Sequence, residues 1–187
     1  MRISLKIIRT KKGEEKELVD FLSKVVLFKK LSKSEIRNLQ HNLYVRNFKA
    51  GEYVFKKKYP NVVLYIVKEG ELHTYLDETN KEDVKIIQPF EYFGEIGLFL
   101  EEERTANIVA KKDSVLLALS KKDMANYIAE FPKAGIKILY KLGEILCREL
   151  INSNTVLSRK NEEIVELINK IRTKEKEIDE LNNKSNL

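Results

Sequence analysis

The sequence predicts a mainly β protein of the α+β class, with a sandwich or barrel of strands at its centre and helices at both ends. Roughly seven or eight short segments rich in β-branched and aromatic residues lie between residues 44 and 119, with a turn signal about every ten residues. Helical periodicity occurs on both sides of this region. Because no helices alternate with the strand segments, the pattern excludes a parallel α/β sheet.

Two helices are predicted before the strands. Residues 13–26 carry one apolar stripe, formed by Leu18, Phe21, Leu22 and Val25. A second helix begins after Ser32 or Ser34, since either serine is a suitable N-cap. Its apolar positions are Ile36, Leu39 and Leu43. Both stripes indicate core-facing surfaces.

The strands are predicted from period-two patterning and from runs of β-branched residues. Gly51, Gly70 and the polar run 77–81 supply turns between them. The predicted strands are residues 44–48, 53–55, 62–67, 72–76, 84–87, 107–110 and 115–119.

Length and composition limit the possible classes of protein. A chain of 187 residues is long enough for one well-buried domain and an appendage. No apolar run has the length of a signal peptide or of a membrane span. The single Cys147 excludes an internal disulfide and fits a reducing compartment. We therefore expect a cytoplasmic protein that does not bind membranes.

The net charge of +6 is concentrated near the N-terminus, where residues 1–50 contain 13 basic and 5 acidic side chains. Such an excess on helices usually forms a solvated surface. A site for a polyanion in this N-terminal region is the alternative.

Residues 93–106, FGEIGLFLEEERTA, combine groups that suit a phosphorylated sugar. A short helix after Gly94 presents backbone N–H groups to an anion, and the glycines at 94 and 97 allow close approach. Arg104 supplies a planar fork for phosphate. Glu95 can accept hydrogen bonds from sugar hydroxyls. Donors for phosphate beside an acceptor for ribose describe a nucleotide site.

This stretch resembles the phosphate-binding cassette of the cyclic nucleotide-binding domain family, whose pattern is roughly F-G-E-[LI]-[AG]-L followed by R-[TSA]-A. Both runs match, at residues 93–98 and 104–106. The resemblance implies that Glu95 holds the ribose hydroxyl and Arg104 the cyclic phosphate. It assigns the other phosphate oxygens to the amides at 96 and 97, and the phosphate or base to Thr105. The expected ligand-binding residues are Gly94, Glu95, Ile96, Gly97, Arg104, Thr105 and Ala106.

The resemblance covers roughly residues 27–150 and implies a double-stranded β-helix, or jelly roll, that binds cAMP or cGMP. We accordingly expect an N-terminal helical extension at 1–26, the binding roll with its flanking helices at 27–132, and a long dimerisation helix at 133–187. Thr105 is compatible with either base, and the wider bacterial use of cAMP within the family favours cAMP. The alternative is a ligand-free roll in which Arg104 is salt-bridged to a neighbouring carboxylate.

Two positions depart from the family's pattern. Lys58 and Phe90 stand where the family usually has glycines, seven residues after Gly51 and four before Gly94. Because a residue with a side chain is disfavoured at positive φ, we expect these two turns to be remodelled. In the family both positions shape loops and do not contact ligand.

Two further helices are predicted after the strands. Ser120 and Asp123 form a variant of the capping box, and Pro132 suits the first turn of a longer helix. In this long helix every seventh residue is apolar, at Leu150, Leu157, Ile164, Ile171 and Ile178. Polar residues interrupt the positions three later, at Ser153, Lys160 and Lys174. This weak heptad favours a parallel two-stranded coil, and a solvent-exposed single helix is the alternative.

The sequence gives no indication of an enzyme, a metal site or a DNA-binding domain. His41 and His73 have no cluster of ligands at metal-binding spacing, and no nucleophile–base arrangement is recognisable. No helix-turn-helix pattern follows the long helix. We therefore expect a cyclic mononucleotide sensor that forms a homodimer through its C-terminal helix and reports occupancy to an unidentified downstream protein. A ligand-free dimeric scaffold is the alternative function.

Overall fold

The structure is a computed structural model that describes residues 6–7, 12–60, 62–76, 85–100 and 102–185. It contains two compact units, residues 1–141 and 142–187. The first contains the strands and most of the helices, and the second consists of the greater part of the last helix. The three-part division expected from the sequence stays a prediction.

The N-terminal part of the described chain contains a short strand and two helices. These elements are β1 (Lys6–Ile7), α1 (Lys12–Leu22), a 3₁₀ turn (Val26–Phe28) and α2 (Lys33–Gln40). The helix predicted to reach residue 26 therefore ends earlier. Ser32 is the N-cap of α2, because its hydroxyl accepts from the Glu35 N–H at 3.3 Å and its own N–H donates to the Glu35 carboxylate at 2.7 Å.

The strands form two antiparallel sheets, which confirms the predicted mainly β fold. The five-stranded sheet runs, in order, β1, β2 (Tyr44–Phe48), β9 (Ser114–Ser120), β4 (Val63–Glu69) and β7 (Tyr92–Phe93). The four-stranded sheet runs β3 (Tyr53–Phe55), β8 (Asn107–Ala110), β5 (Leu72–Tyr75) and β6 (Lys85–Ile87). Every predicted strand is present within two residues of its expected bounds, as far as the described residues reach. The predicted turn at 77–81 and residue 84 of the predicted strand 84–87 lie outside the described residues. The two-residue strands β1 and β7 were not predicted, since two residues are too few to show alternation.

The core of the first unit lies between the two sheets. Neighbouring residues along a strand point to opposite faces, so Tyr65 and Val67 of β4 join this core while Leu64 and Ile66, also buried, face the other side. Other core members come from both sheets and include Phe48, Leu72, Phe93, Ile108 and Leu116. Burying each large apolar side chain contributes about 1.5–3 kcal/mol.

The two turns that lack the family's glycines are not remodelled, so that expectation was wrong. Lys58 has φ 69° and Phe90 has φ 75°, both in the left-handed region. This conformation costs a residue with a side chain about 1–2 kcal/mol. Packing offsets part of the cost at Phe90, whose ring stacks on Phe21 of α1 at 4.8 Å, with Lys24 Nζ 5.9 Å from its centroid.

The helices after the strands are α4 (Lys121–Glu130) and α5 (Pro132–Ser185). Ser120 caps α4, as predicted, by accepting from the Asp123 N–H at 3.0 Å.

Glu35 joins three elements of the first unit. Its carbonyl accepts from the Tyr127 hydroxyl at 2.9 Å, and its carboxylate oxygens lie 2.8 and 2.9 Å from Lys137 Nζ. Helix α2 is thereby tied to α4 and to the first turns of α5.

All side chains of α5 from residue 147 to residue 176 are exposed. None of the described helices has the length and apolar character needed to cross a lipid bilayer.

Candidate functional site

The predicted cassette begins at a glycine that no other residue can replace without a local rearrangement. Gly94 follows β7 and has φ 82°. A Cβ at this position would lie 2.6 Å from the carbonyl oxygen of Val63, and closer still to Nη1 of Arg104. The backbone conformation therefore favours glycine, and the close approach of the guanidinium and of the Val63 carbonyl requires it.

A short helix, α3 (Ile96–Phe99), follows Gly94. Its hydrogen bonds are donated by the N–H of Leu98 to the Glu95 carbonyl, at 3.0 Å, and by the N–H of Leu100 to the Ile96 carbonyl, at 2.9 Å. The first N–H groups of a helix have no acceptor within the helix, so the N–H groups of residues 96 and 97 form no hydrogen bond within α3. Glu95 occupies the N-cap position, but its side chain does not cap α3.

Arg104 is held in place through its backbone and its side chain, which is only 5% exposed. Its N–H donates to the Tyr59 carbonyl at 2.8 Å, and its carbonyl accepts from the Lys58 N–H at 2.9 Å. Its Nη2 donates to the Val63 carbonyl at 3.0 Å. The left-handed turn at Lys58 is therefore the segment that fixes the backbone of Arg104.

Two aromatic rings, Phe55 and Tyr65, lie beside the guanidinium, and the ring of Phe93 packs against both; these three rings are here called the aromatic floor. The Arg104 Cζ is 4.0 Å from the centroid of Phe55 and 5.9 Å from that of Tyr65. The ring of Phe93 stacks on Tyr65 at 5.3 Å and lies 5.8 Å from Phe55. A cation over an aromatic face is attracted by the ring quadrupole, so the floor fixes the plane of the guanidinium.

Two nitrogens of Arg104 are buried without a hydrogen-bond partner among the described residues, namely Nε and Nη1. Burial lowers the pKa of Arg104 to about 10. The electrostatic influence of Tyr65 and the negative charge of Glu95 act in the opposite direction. The guanidinium is nevertheless a cation at neutral pH. In the described part of the chain no carboxylate forms an ion pair with it, in contrast to the alternative of an internal salt bridge.

The remaining predicted residues surround this centre. Ile96 and Ala106 are half-buried, Gly97 is buried and Thr105 is exposed. The structure thus brings Gly94 and Arg104 into contact, with Glu95 near enough for its charge to act on Arg104. Within the described ranges, no three His, Cys, Asp or Glu side chains form a group that could hold a metal ion.

Sequence reasoning did not identify the aromatic floor or the carbonyl of Val63. Phe55 and Tyr65 were recognisable only as strand residues, because their position beside Arg104 depends on the pairing of β3 with β8 and of β4 with β7.

Asn107 was also missed. It is buried, and its Oδ1 accepts from the Lys57 N–H at 3.0 Å, which ties the loop after β3 to the segment that carries Arg104.

Comparison with known proteins agrees with this geometry. A family model described as "Cyclic nucleotide-binding domain" matches residues 45–131. The chain contains a cyclic nucleotide-binding domain. The recognition made from the cassette motif is therefore confirmed.

Two relatives illustrate where this cyclic nucleotide-binding domain occurs. A cGMP-dependent protein kinase of Plasmodium berghei is 30% identical over 102 residues, which cover 54% of this chain and 12% of the kinase. A cyclic nucleotide-gated channel alpha-4 of Mus musculus is 32% identical over 133 residues, covering 68% of this chain and 23% of the channel. The chain thus spans only a small part of the length of these relatives, and the similarity concerns the domain alone.

Solved structures confirm the jelly-roll fold of the cyclic nucleotide-binding domain. The catabolite activator protein of Thermus thermophilus has a TM-score of 0.64 at 27% identity, covering 71% of this chain and 62% of that one. The regulatory domain of Toxoplasma gondii PKA, solved with cAMP, has a TM-score of 0.57 at 23% identity, covering 71% and 51%.

Proposed function

We propose that the domain binds a cyclic mononucleotide, cAMP or cGMP, with its cyclic phosphate against Arg104. The observation that supports this most is the pair of buried nitrogens, Nε and Nη1, that have no acceptor among the described residues. An unsatisfied buried donor costs about 1–3 kcal/mol, and more when it is charged. Phosphate oxygens are the acceptors that a guanidinium binds best, so a bound cyclic phosphate removes this cost.

The other cassette residues have complementary roles in this proposal. The N–H groups of Ile96 and Gly97 bind the phosphate oxygens at the start of α3, and Gly94 and Ala106 allow the ligand to approach. Glu95 accepts a hydrogen bond from the ribose hydroxyl. Thr105 is exposed and contacts the phosphate or the base.

The choice between cAMP and cGMP is part of the proposal to be tested. The hydroxyl of Thr105 can serve either base. Among similar proteins, kinases are named for their dependence on cGMP, and the Toxoplasma gondii regulatory domain was solved with cAMP. Both nucleotides are therefore required in every binding experiment.

We infer that ligand occupancy is transmitted by a population shift that involves α5. Phosphate bound at Arg104 draws the cassette inward, and the first turns of α5 repack over the base. Leu139 and Tyr140 are candidates for the side chains that cover the base. Tyr140 is 74% exposed, and Lys30 Nζ lies 5.8 Å from the centroid of its ring. A ligand shifts such an equilibrium only through different affinities for the two states. The ion pair between Glu35 and Lys137 joins α2 to the part of α5 that moves.

The proposed signal leaves the protein through a homodimer formed by α5 and reaches a downstream protein that is not identified. No membrane, DNA or catalytic role belongs to this proposal. The exposed apolar residues of α5 also favour the second candidate, a dimeric scaffold that keeps the roll but binds no nucleotide.

Isothermal calorimetry of the wild-type chain and of Arg104→Ala with both nucleotides tests the proposal. Arg104→Ala should weaken binding by about 2–5 kcal/mol, as for truncating one member of a buried charge pair. Lys122→Ala is the matched control, since it removes an exposed positive charge of α4 and should bind as wild type does. Circular dichroism verifies that each variant folds.

Two results would reject the proposed role of Arg104. One is unchanged affinity in a folded Arg104→Ala. The other is the absence of binding of either nucleotide to the wild-type chain, which instead supports the scaffold.

A further inference from the structure

The exposed part of α5 carries an apolar stripe in which lysines interrupt one of the two heptad positions. Position a contains Leu157, Ile164 and Ile171, which are 59, 53 and 57% exposed. Position d, three residues after each, contains Lys160, Leu167 and Lys174, which are also exposed. Aliphatic exposure of this extent along one helix indicates a surface that another helix covers.

A parallel pair of these helices places each d residue opposite the same residue of the second copy. Lys160 then faces Lys160, and Lys174 faces Lys174. Even with the ammonium groups extended toward solvent, two like charges would then lie near each other at two levels of one seam and repel. The parallel coil favoured by the spacing of the apolar residues therefore conflicts with the charges between them.

An antiparallel pair places each a residue opposite a d residue. With Ile164 opposite Leu167 of the second copy, Leu157 faces Lys174 and Lys160 faces Ile171. Every lysine in the seam then packs its aliphatic stem on an aliphatic side chain, while its ammonium group reaches solvent. No lysine in this arrangement faces another lysine.

The charges beside the seam select one antiparallel register. Glu163 and Lys170 occupy position g, and in this register each faces the other across the interface. Shifting the register by one heptad in one direction places Glu163 opposite Glu163 of the second copy. Shifting it in the other direction places Lys170 opposite Lys170 of the second copy. Both side chains are exposed. Each forms an ion pair within its own helix, Glu163 with Arg159 at 3.9 Å and Lys170 with Glu166 at 2.6 Å. These pairs lie at the surface and leave both charges accessible.

We propose that two copies of this chain associate through α5 as an antiparallel two-stranded coil centred between Ile164 and Leu167. The proposal rests on the homodimer of the proposed function and replaces the parallel geometry. It does not depend on nucleotide binding. The two points at which α5 leaves the first unit, at Leu142, are then about 70 Å apart, at about 1.5 Å per residue.

Double electron–electron resonance on the full-length chain tests the geometry. Cys147 is the single cysteine and is exposed, so one nitroxide label per chain attaches without any substitution. The antiparallel coil predicts about 55 Å between the two labelled positions, from about 1.5 Å per residue. A parallel coil predicts less than about 20 Å, since packed helices lie about 8–10 Å apart.

Oxidative cross-linking in a Cys147→Ser background gives a second measurement. Leu157→Cys alone should not cross-link in the antiparallel coil, whereas Leu157→Cys combined with Lys174→Cys should. Cross-linking of the single variant, or a short label distance, overturns the antiparallel geometry and supports a parallel dimer. A monomer at all concentrations overturns the homodimer as well, while leaving nucleotide binding to be judged by calorimetry.

Discussion

At the scale of single residues, the site is defined by a guanidinium that the fold buries and only partly satisfies. Among the described residues, the Arg104 side chain donates one hydrogen bond, to the Val63 carbonyl, and lies near two aromatic rings, Phe55 and Tyr65. A buried cation with unsatisfied donors destabilises the unliganded fold. The aromatic floor reduces this penalty without occupying the hydrogen-bonding edges, because a ring contacts the face of the guanidinium.

The contribution of the floor is tested by Phe55→Leu. Loss of a cation–π contact worth about 0.5–2 kcal/mol should weaken nucleotide affinity several-fold and leave the fold intact. The Nε–H resonance of Arg104 in NMR spectra should also move, since it loses the ring current of Phe55. Phe55→Tyr keeps the ring and should restore both properties. Unchanged affinity together with an unchanged Nε–H resonance in Phe55→Leu would show that the floor does not position Arg104.

Single residues were predictable where a local motif names them. Gly94, Glu95 and Arg104 were recognised from the order and spacing of cassette residues. Phe55 and the Val63 carbonyl were not, since they reach Arg104 only through pairings between strands distant in sequence. Lys58 and Phe90 were misjudged for a different reason. The sequence shows the local disadvantage of a side chain at positive φ, but not the packing on Phe21 that offsets it at Phe90.

At the scale of elements, period-two patterning identified the seven longer strands and the capping residues identified the starts of α2 and α4. The end of α1 was placed too late, because Val25 continues the apolar stripe although it lies outside the helix. Apolar periodicity indicates burial, and Val25 is buried. Periodicity alone does not reveal that the chain has left the helical conformation before that residue.

The contact between α2 and α5 gives a prediction that depends on pH. Hydrogen bonding to Lys137, and then to the backbone of Ser32, lowers the pKa of Glu35 below its usual 4.5. A carboxyl with a lowered pKa stabilises the fold above pH 4.5, and this stabilisation is lost as the pH falls through the folded-state pKa. Lys137→Met should therefore lower the free energy of unfolding at pH 7 by about 0.2–1 kcal/mol, and by less at acidic pH.

Urea unfolding at pH 7 and below pH 4 measures this difference. Lys133→Met, one helical turn earlier, is the matched control, because Lys133 is exposed. Its effect should be small at both pH values. An equal effect of Lys137→Met at both pH values would mean that its ion pair with Glu35 contributes nothing to stability.

At the scale of the whole molecule, the jelly roll of a cyclic nucleotide-binding domain is followed along the chain by a long helix with exposed apolar residues. The jelly roll followed from the family resemblance, because strand patterning alone was compatible with any sandwich or barrel. The parallel pairing of α5 expected from apolar spacing stays a prediction. Apolar spacing alone does not determine the geometry, because the pairing also depends on which charges meet across the seam.

The most direct test of the central claim is the thermal unfolding of the wild-type chain with saturating cAMP, with saturating cGMP and with 5′-AMP. Binding to the native state at a hundred times Kd adds about 2.7 kcal/mol of stability. For a chain of this size we expect Tm to rise by roughly 5–10 °C with at least one cyclic nucleotide, and by much less with 5′-AMP. An unchanged Tm with both cyclic nucleotides would contradict the assignment of Arg104 as a cyclic phosphate site.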